Sequence, residues 1–118
     1  MVDRIRVLDL TDHRGQIAAQ MLNLLGADVV LVEPPGGSTV RTMAPFADYT
    51  PPPERSLPFV GWNRGKRSVV LDPTTVDGGE RLMDLVRRAD VLIESGAFPV
   101  DLAALRRSEE HTSELQSH

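Results

Sequence analysis

Residues 26–37 read GADVVLVEPPGG, and this stretch carries the decision about the fold. Val29 to Glu33 is a short, apolar, β-branched run of the kind a strand buried on both faces requires. Pro34 and Pro35 end it by removing two successive N–H donors. Upstream, Gly26 is the left-handed stop of a helix in which Ile17, Met21, Leu22 and Leu25 recur at helical spacing. Thr11 or Asp12 stands where a side-chain oxygen can cap that helix. Before it, VLDLT at residues 7–11 belongs to a first strand running from Ile5 to Leu10. One strand–helix–strand unit therefore occupies the chain up to Glu33.

A second unit follows. NRGKRSVVLD at residues 63–72 contains the third strand, Ser68 to Leu71. Thr74 and Asp77 have capping-box spacing, and Asp77 and Glu80 suit the positive helix end. Leu82, Leu85 and Val86 line one face of that helix, and Arg87 and Arg88 fall in its last turn, where the dipole favours cations. Val91 to Glu94 is the fourth strand. Residues 34–66 hold most of the prolines and little periodicity, which predicts a long loop. The repeated rhythm implies an α/β fold: a Rossmann-like, mostly parallel sheet with flanking helices, here a partial domain.

Composition bounds the function. With 118 residues there is room for about one domain. The net charge of -4 comes with no basic stripe, so neither nucleic acid nor an anionic membrane is an expected partner. The chain has no cysteine, which excludes disulfides, thiol catalysis and cysteine-ligated metals. His13 is the only histidine before residue 107, so no metal site is expected. No apolar run approaches the ~20 residues of a membrane span, and the N-terminus lacks a signal-peptide core, so the expected location is cytoplasmic.

Open α/β sheets bind ligands beyond the carboxyl ends of their strands, here Leu10-Thr11, Glu33, Asp72 and Glu94-Ser95. TDHRGQIAA after the first strand offers only Gly15 where a dinucleotide fingerprint needs three glycines, although Glu33 stands where an NAD enzyme keeps its ribose acid. An NAD(P)-dependent oxidoreductase is disfavoured on that ground.

The ordered set VLDLT, GADVVLVEPPGG and NRGKRSVVLD resembles the N-terminal part of the class III CoA-transferases, the family that also includes α-methylacyl-CoA racemase. The resemblance runs from about Ile5 to Leu105. It implies residues 1–106 as the N-terminal part of such a domain. Residues 107–118, RSEEHTSELQSH, instead resemble the translation of a sequencing adapter and are expected to lie outside the fold.

The resemblance implies coenzyme A as the ligand, with no metal. Arg41 matches a CoA-contacting arginine, while His13 and Arg14 lie in the first strand-to-helix turn, where many members have glutamine in place of Arg14. Trp62, Asn63, Arg64 and Gly65 match a segment bordering adenine and ribose. Ser95, Gly96 and Ala97 match the place of an Asn-Phe pair, from which this sequence departs. Each candidate also has a purely structural account. Arg64, Lys66 and Arg67 read as a solvated turn, Trp62 as a core plug, and Arg41 as a surface partner of Glu33 or Asp48. If every strand is parallel, Trp62 to Lys66 precede the third strand at the edge opposite the crevice. Either the long loop folds over the cleft or that strand runs antiparallel.

The implied chemistry is acyl-CoA:carboxylate CoA transfer. An aspartate attacks the thioester, and the acyl group and CoA exchange through anhydride and thioester intermediates. The implied partners are an acyl-CoA, a small carboxylic acid and a second copy of the chain in a homodimer. The alternatives are a racemase fragment of the same family and a non-catalytic nucleotide-binding domain. The family's catalytic residues fall beyond this stretch, so no residue here is assigned a catalytic role.

Overall fold

The computed structural model describes residues 5–47, 56–96 and 98. The expectations for Ala97, Asp48 and residues 107–118 fall outside the described residues. Four strands, β1 (Arg6–Leu10), β2 (Asp28–Glu33), β3 (Arg67–Val70) and β4 (Val91–Glu94), form one sheet in the order β3-β2-β1-β4. All three pairings are parallel, which settles the direction of the third strand.

Helix α1 (Gln16–Leu24) joins β1 to β2 on one face of the sheet. Helix α3 (Val76–Arg88) carries the chain from β3 across to β4 on the other. Side chains alternate accordingly along the central strand. Val7 packs with Ala19, Ala27 and Val29 under α1. Leu8 and Leu10 pack with Val32, Leu71, Leu82, Val86 and Phe98 under α3. Burying each such Val, Leu or Phe side chain contributes about 1.5–3 kcal/mol.

Both helix starts differ from expectation. The residue at the N-cap of α1 is Gly15, with no side-chain cap. Asp12 is instead used within the turn, its carbonyl accepting the N–H groups of Gly15 and Gln16. At α3 the cap is Thr75, whose Oγ1 accepts the Gly78 N–H at 3.0 Å. Thr74 is drawn back to the Asp72 carboxylate. Gly26 does end α1 at φ 107°, a left-handed conformation that glycine adopts without a Cβ penalty.

The face of α1 is also not the one its apolar spacing suggests. Its buried residues are Gln16, Ala19 and Gln20, while Ile17, Met21, Leu24 and Leu25 are exposed and Leu22 is half-buried against the core. The segment expected to be a loop contains a 3₁₀ turn (Thr39–Thr42) and a short helix, α2 (Leu57–Asn63), packed beside α1. Ser56 makes α2 possible. Its hydroxyl caps Phe59 N–H and donates toward the Val40 and Met43 carbonyls, tying the helix to the 3₁₀ turn.

Candidate functional site

The chain leaves β1 toward α1 on one face, whereas β4 is reached from the other. The sheet therefore has its topological switch point between these two neighbouring strands, where open α/β sheets hold ligands. The mouth of this crevice is built from residues 11–14 after β1 and from Ser95 and Gly96 after β4. Asp12 joins the two sides: its N–H donates to Ser95 Oγ at 3.2 Å, and the Ser95 hydroxyl donates to Asp12 Oδ1 at 3.0 Å. The Arg14 guanidinium donates to the same carboxylate from Nε and Nη2, and His13 Nδ1 lies 3.7 Å away. Burial pushes the Asp12 carboxyl up, but hydrogen bonds from Arg14 and Ser95 outweigh it and hold the pKa at about 2. Asp12 is thus an anion at neutral pH. Arg14 is more than half exposed and uses two of its five N–H donors on Asp12. On the far side Gly96, at φ 83°, donates its N–H to Glu94 Oε2.

The loop after β2 forms a second cluster at the same edge. Glu33 is 1% exposed and receives the Ser38 N–H at 2.8 Å, Arg41 Nε at 2.6 Å, Arg41 Nη2 at 2.9 Å and the Ser68 hydroxyl. Burial raises the Glu33 pKa, and the Arg41, Ser38 and Ser68 hydrogen bonds more than reverse this, to about 2. Gly37 makes the approach possible: at φ 91°, an added Cβ would sit 2.8 Å from Arg41 Cδ. The guanidinium also stacks 4.0 Å over the Phe59 ring. Arg41 does pair with Glu33, as one structural account had it, but the acid is buried rather than on the surface. A cavity of about 50 Å³ separates the two clusters, lined by residues that include Thr11, Asp12, Ser38 and Phe98.

The sequence candidates fall into separate places. His13, Arg14, Ser95 and Gly96 meet around Asp12, and Arg41 belongs to the second cluster. Trp62, Asn63, Arg64 and Gly65 lie at the end of α2 and in the turn after it, beside α1. The Arg64 carbonyl accepts hydrogen bonds from Gln20 and Asn23, Asn63 is buried against Gln16, and Trp62 is half-buried. A hollow of about 460 Å³ opens at the amino-terminal edge near Arg6, Arg67 and Arg88, opposite the switch point. Among the described residues no cluster of His, Asp or Glu could hold a metal ion.

One pair was missed by sequence reasoning. Lys66 is no solvated turn residue: its side chain is 1% exposed and meets Asp9, itself fully buried, at 2.8 Å. Burial lowers the Lys66 pKa, and Asp9 acts to raise it. The available signal was Asp9 itself, because an acid inside an apolar strand requires a buried partner.

Together these features define an open parallel α/β unit with a crevice at the β1/β4 switch point. Comparison with known proteins makes this specific. A sequence model described as CoA-transferase family III matches residues 2–116, and the chain belongs to that family. It is 39% identical over 92 residues to a succinyl-CoA:(R)-benzylsuccinate CoA-transferase subunit of Thauera aromatica, covering 78% of this chain and 22% of that protein. It is 42% identical over 95 residues to a succinyl-CoA:mesaconate CoA-transferase of Haloarcula hispanica, covering 80% and 24%. The crystal structure of a CaiB/BaiF family protein from Brucella suis superposes with a TM-score of 0.71 at 34% identity, over 90% of this chain and 27% of that one. The chain spans about a quarter of the length of the curated relatives it matches. Among the described residues no helix is long and apolar enough to cross a membrane.

Proposed function

We propose that this chain is the coenzyme A-binding portion of an acyl-CoA:carboxylate CoA-transferase, acting on an acyl-CoA and a small carboxylic acid as a cytoplasmic homodimer. The observation that carries the reading is the crevice at the β1/β4 switch point, with Arg14 and His13 on one lip and Ser95 and Gly96 on the other. Arg14 supplies the cation: three of its N–H donors are left over from Asp12, so it can meet a phosphate without releasing the carboxylate. Ser95 and Gly96 form the opposite wall. Arg41 serves this site by fixing the loop after β2, since its fork faces Glu33. Trp62 to Gly65 support α1 from the side. Thioester exchange itself needs a carboxylate nucleophile, and none of the described acids is assigned that role.

Titration of isotopically labelled protein with coenzyme A tests the reading. Amide shifts at residues 11–14 and at Ser95 and Gly96 are expected, with Arg14→Gln weakening the affinity about tenfold. Shifts confined to Trp62–Gly65, or none, would overturn it.

A further inference from the structure

We infer that the buried Asp9–Lys66 pair is a positioning device, which holds the turn after β1 and the loop after β2 as one unit at the coenzyme A crevice. The inference rests on the function proposed above only for what the crevice binds.

Lys66 Nζ has three donors and spends each on a different element. It meets Asp9 Oδ2 in β1 at 2.8 Å, the Gln16 carbonyl at the start of α1 at 2.9 Å, and Asn63 Oδ1 at the end of α2 at 2.8 Å. Asp9 uses its other oxygen on the turn after β1, accepting Thr11 N–H at 2.9 Å and Thr11 Oγ1 at 2.5 Å. Gln16 extends the chain of bonds. Its Nε2 donates to the Thr11 carbonyl at 3.0 Å and to Ser38 Oγ at 3.1 Å, while its Oε1 accepts from Asn63 at 2.7 Å. Ser38 is therefore held from beneath by Gln16 and from its N–H by Glu33, which in turn holds Arg41. The relay runs without a break from Lys66 to both loops at the ligand edge.

The placement has a cost that simple packing would not incur. Asp9, Thr11, Gln16, Ser38 and Asn63 are all buried, and among the described residues every buried side-chain polar atom has a partner. An apolar pair of similar volume would fill the same space without the desolvation cost of two buried charges. What they would not do is fix two loops in register through directional bonds, because a satisfied polar network admits few arrangements. Asp12, His13 and Arg14 follow Thr11 in turn, so the Thr11 backbone sets where the crevice lip stands.

The test replaces the pair by apolar groups, Asp9→Val with Lys66→Met in the same chain, so that neither charge is left buried alone. Unfolding in urea measures its stability, amide hydrogen exchange its local opening, and calorimetric titration its affinity for coenzyme A. A modest loss of global stability is expected, because Thr11, the Gln16 carbonyl and Asn63 lose buried partners. Exchange at Arg14, Ser38 and Val40, none of which bonds to the altered side chains, should rise at least tenfold, with the β2 ladder at Val29–Val32 unchanged. Coenzyme A affinity should fall about tenfold. Unchanged exchange at those three amides, or a uniform rise that tracks a loss of global stability, would overturn the inference. Gln16→Met serves as a second variant should the double replacement fail to fold. It cuts the relay with the ion pair intact, and the same rise at Ser38 and Val40 is expected; parent-like exchange there would count against the inference. A parent chain that does not bind coenzyme A would refute the proposed function alone, because the exchange readout needs no ligand.

Discussion

Arg41 and Glu33 form a two-pronged ion pair, Nε to Oε1 and Nη2 to Oε2, in which the acid is sealed from water and the base is about a quarter exposed. The pair sits eight residues apart in sequence and closes the loop after β2 onto the end of its own strand. An arginine in a proline- and glycine-rich segment reads as a surface residue of little consequence for stability. Here it neutralises a buried carboxylate.

Arg41→Ala is therefore expected to cost about 3 kcal/mol, because it leaves that carboxylate buried without its cation. Arg41→Lys should recover only part of the loss, since an ammonium cannot reproduce the fork. Urea unfolding checks both. A loss under about 1 kcal/mol for the alanine variant would mean the pair behaves like an exposed one.

Acid unfolding should expose the same pair. The Glu33 pKa is about 2 in the folded chain against 4.5 for an unperturbed glutamate. Its contribution is complete above the higher value and is lost as pH falls through the lower one, because the unfolded chain takes up the proton first. Stability measured from pH 6 to pH 2 should decline across that window. Glu33→Gln should be less stable at pH 6 and show a shallower decline. A decline as steep as the parent's would assign the acid sensitivity to other groups, Asp12 first among them.

Two adjacent glycines in α3 should respond oppositely to alanine. A Cβ on Gly78 would lie 1.8 Å from the Asp72 carbonyl oxygen, a backbone atom of the turn folded against the helix start. A Cβ on Gly79 meets Pro73 O at 3.6 Å, an ordinary contact. Gly78→Ala is expected to destabilise by at least about 2 kcal/mol through forced backbone movement. Gly79→Ala should stabilise by about 0.5–1 kcal/mol by restricting the unfolded chain and improving helix propensity. Thermal melts of the two variants side by side decide it, and equal shifts of the same sign would contradict the geometry.

The orientation of α1 gives a fourth test. Leu24→Gln should alter stability by less than about 0.5 kcal/mol, because Leu24 is exposed. Ala19→Leu should cost about 1–3 kcal/mol by overpacking the space between helix and sheet. The reverse ranking in denaturant midpoints would restore the face suggested by the apolar spacing.

The strands and α3 were legible because their signals are local. Val91–Glu94 matches the expected bounds, β2 differs only by including Asp28, and Leu82 and Val86 do face the core. The inner face of α1 was not legible, because Gln16 and Gln20 are buried for hydrogen bonds whose partners, Thr11, Ser38 and Arg64, belong to other elements. Periodicity scores such residues as solvent-facing. Helix α2 was hidden by Pro58 and Gly61, which read as breakers although proline is well placed in a first turn. The lip residues His13, Arg14, Ser95 and Gly96 could be placed from sequence because strand ends define them. Trp62 to Gly65 could not, since their position depends on how a 33-residue segment, 34–66, folds back.

The strand order has a consequence for how such a chain is made. Among the described strands β1 leaves the ribosome before its neighbour β4, with β2 and β3 between them, and Arg6 bonds to Asp90 across 84 residues. Until then the most central strand offers an unsatisfied edge along its whole length. Early collapse can join β1, α1 and β2, but the crevice at the switch point has no second wall until translation has passed Ser95. Nascent chains stalled before that point should be sticky and chaperone-bound, and those stalled beyond it should be able to close the sheet at β4.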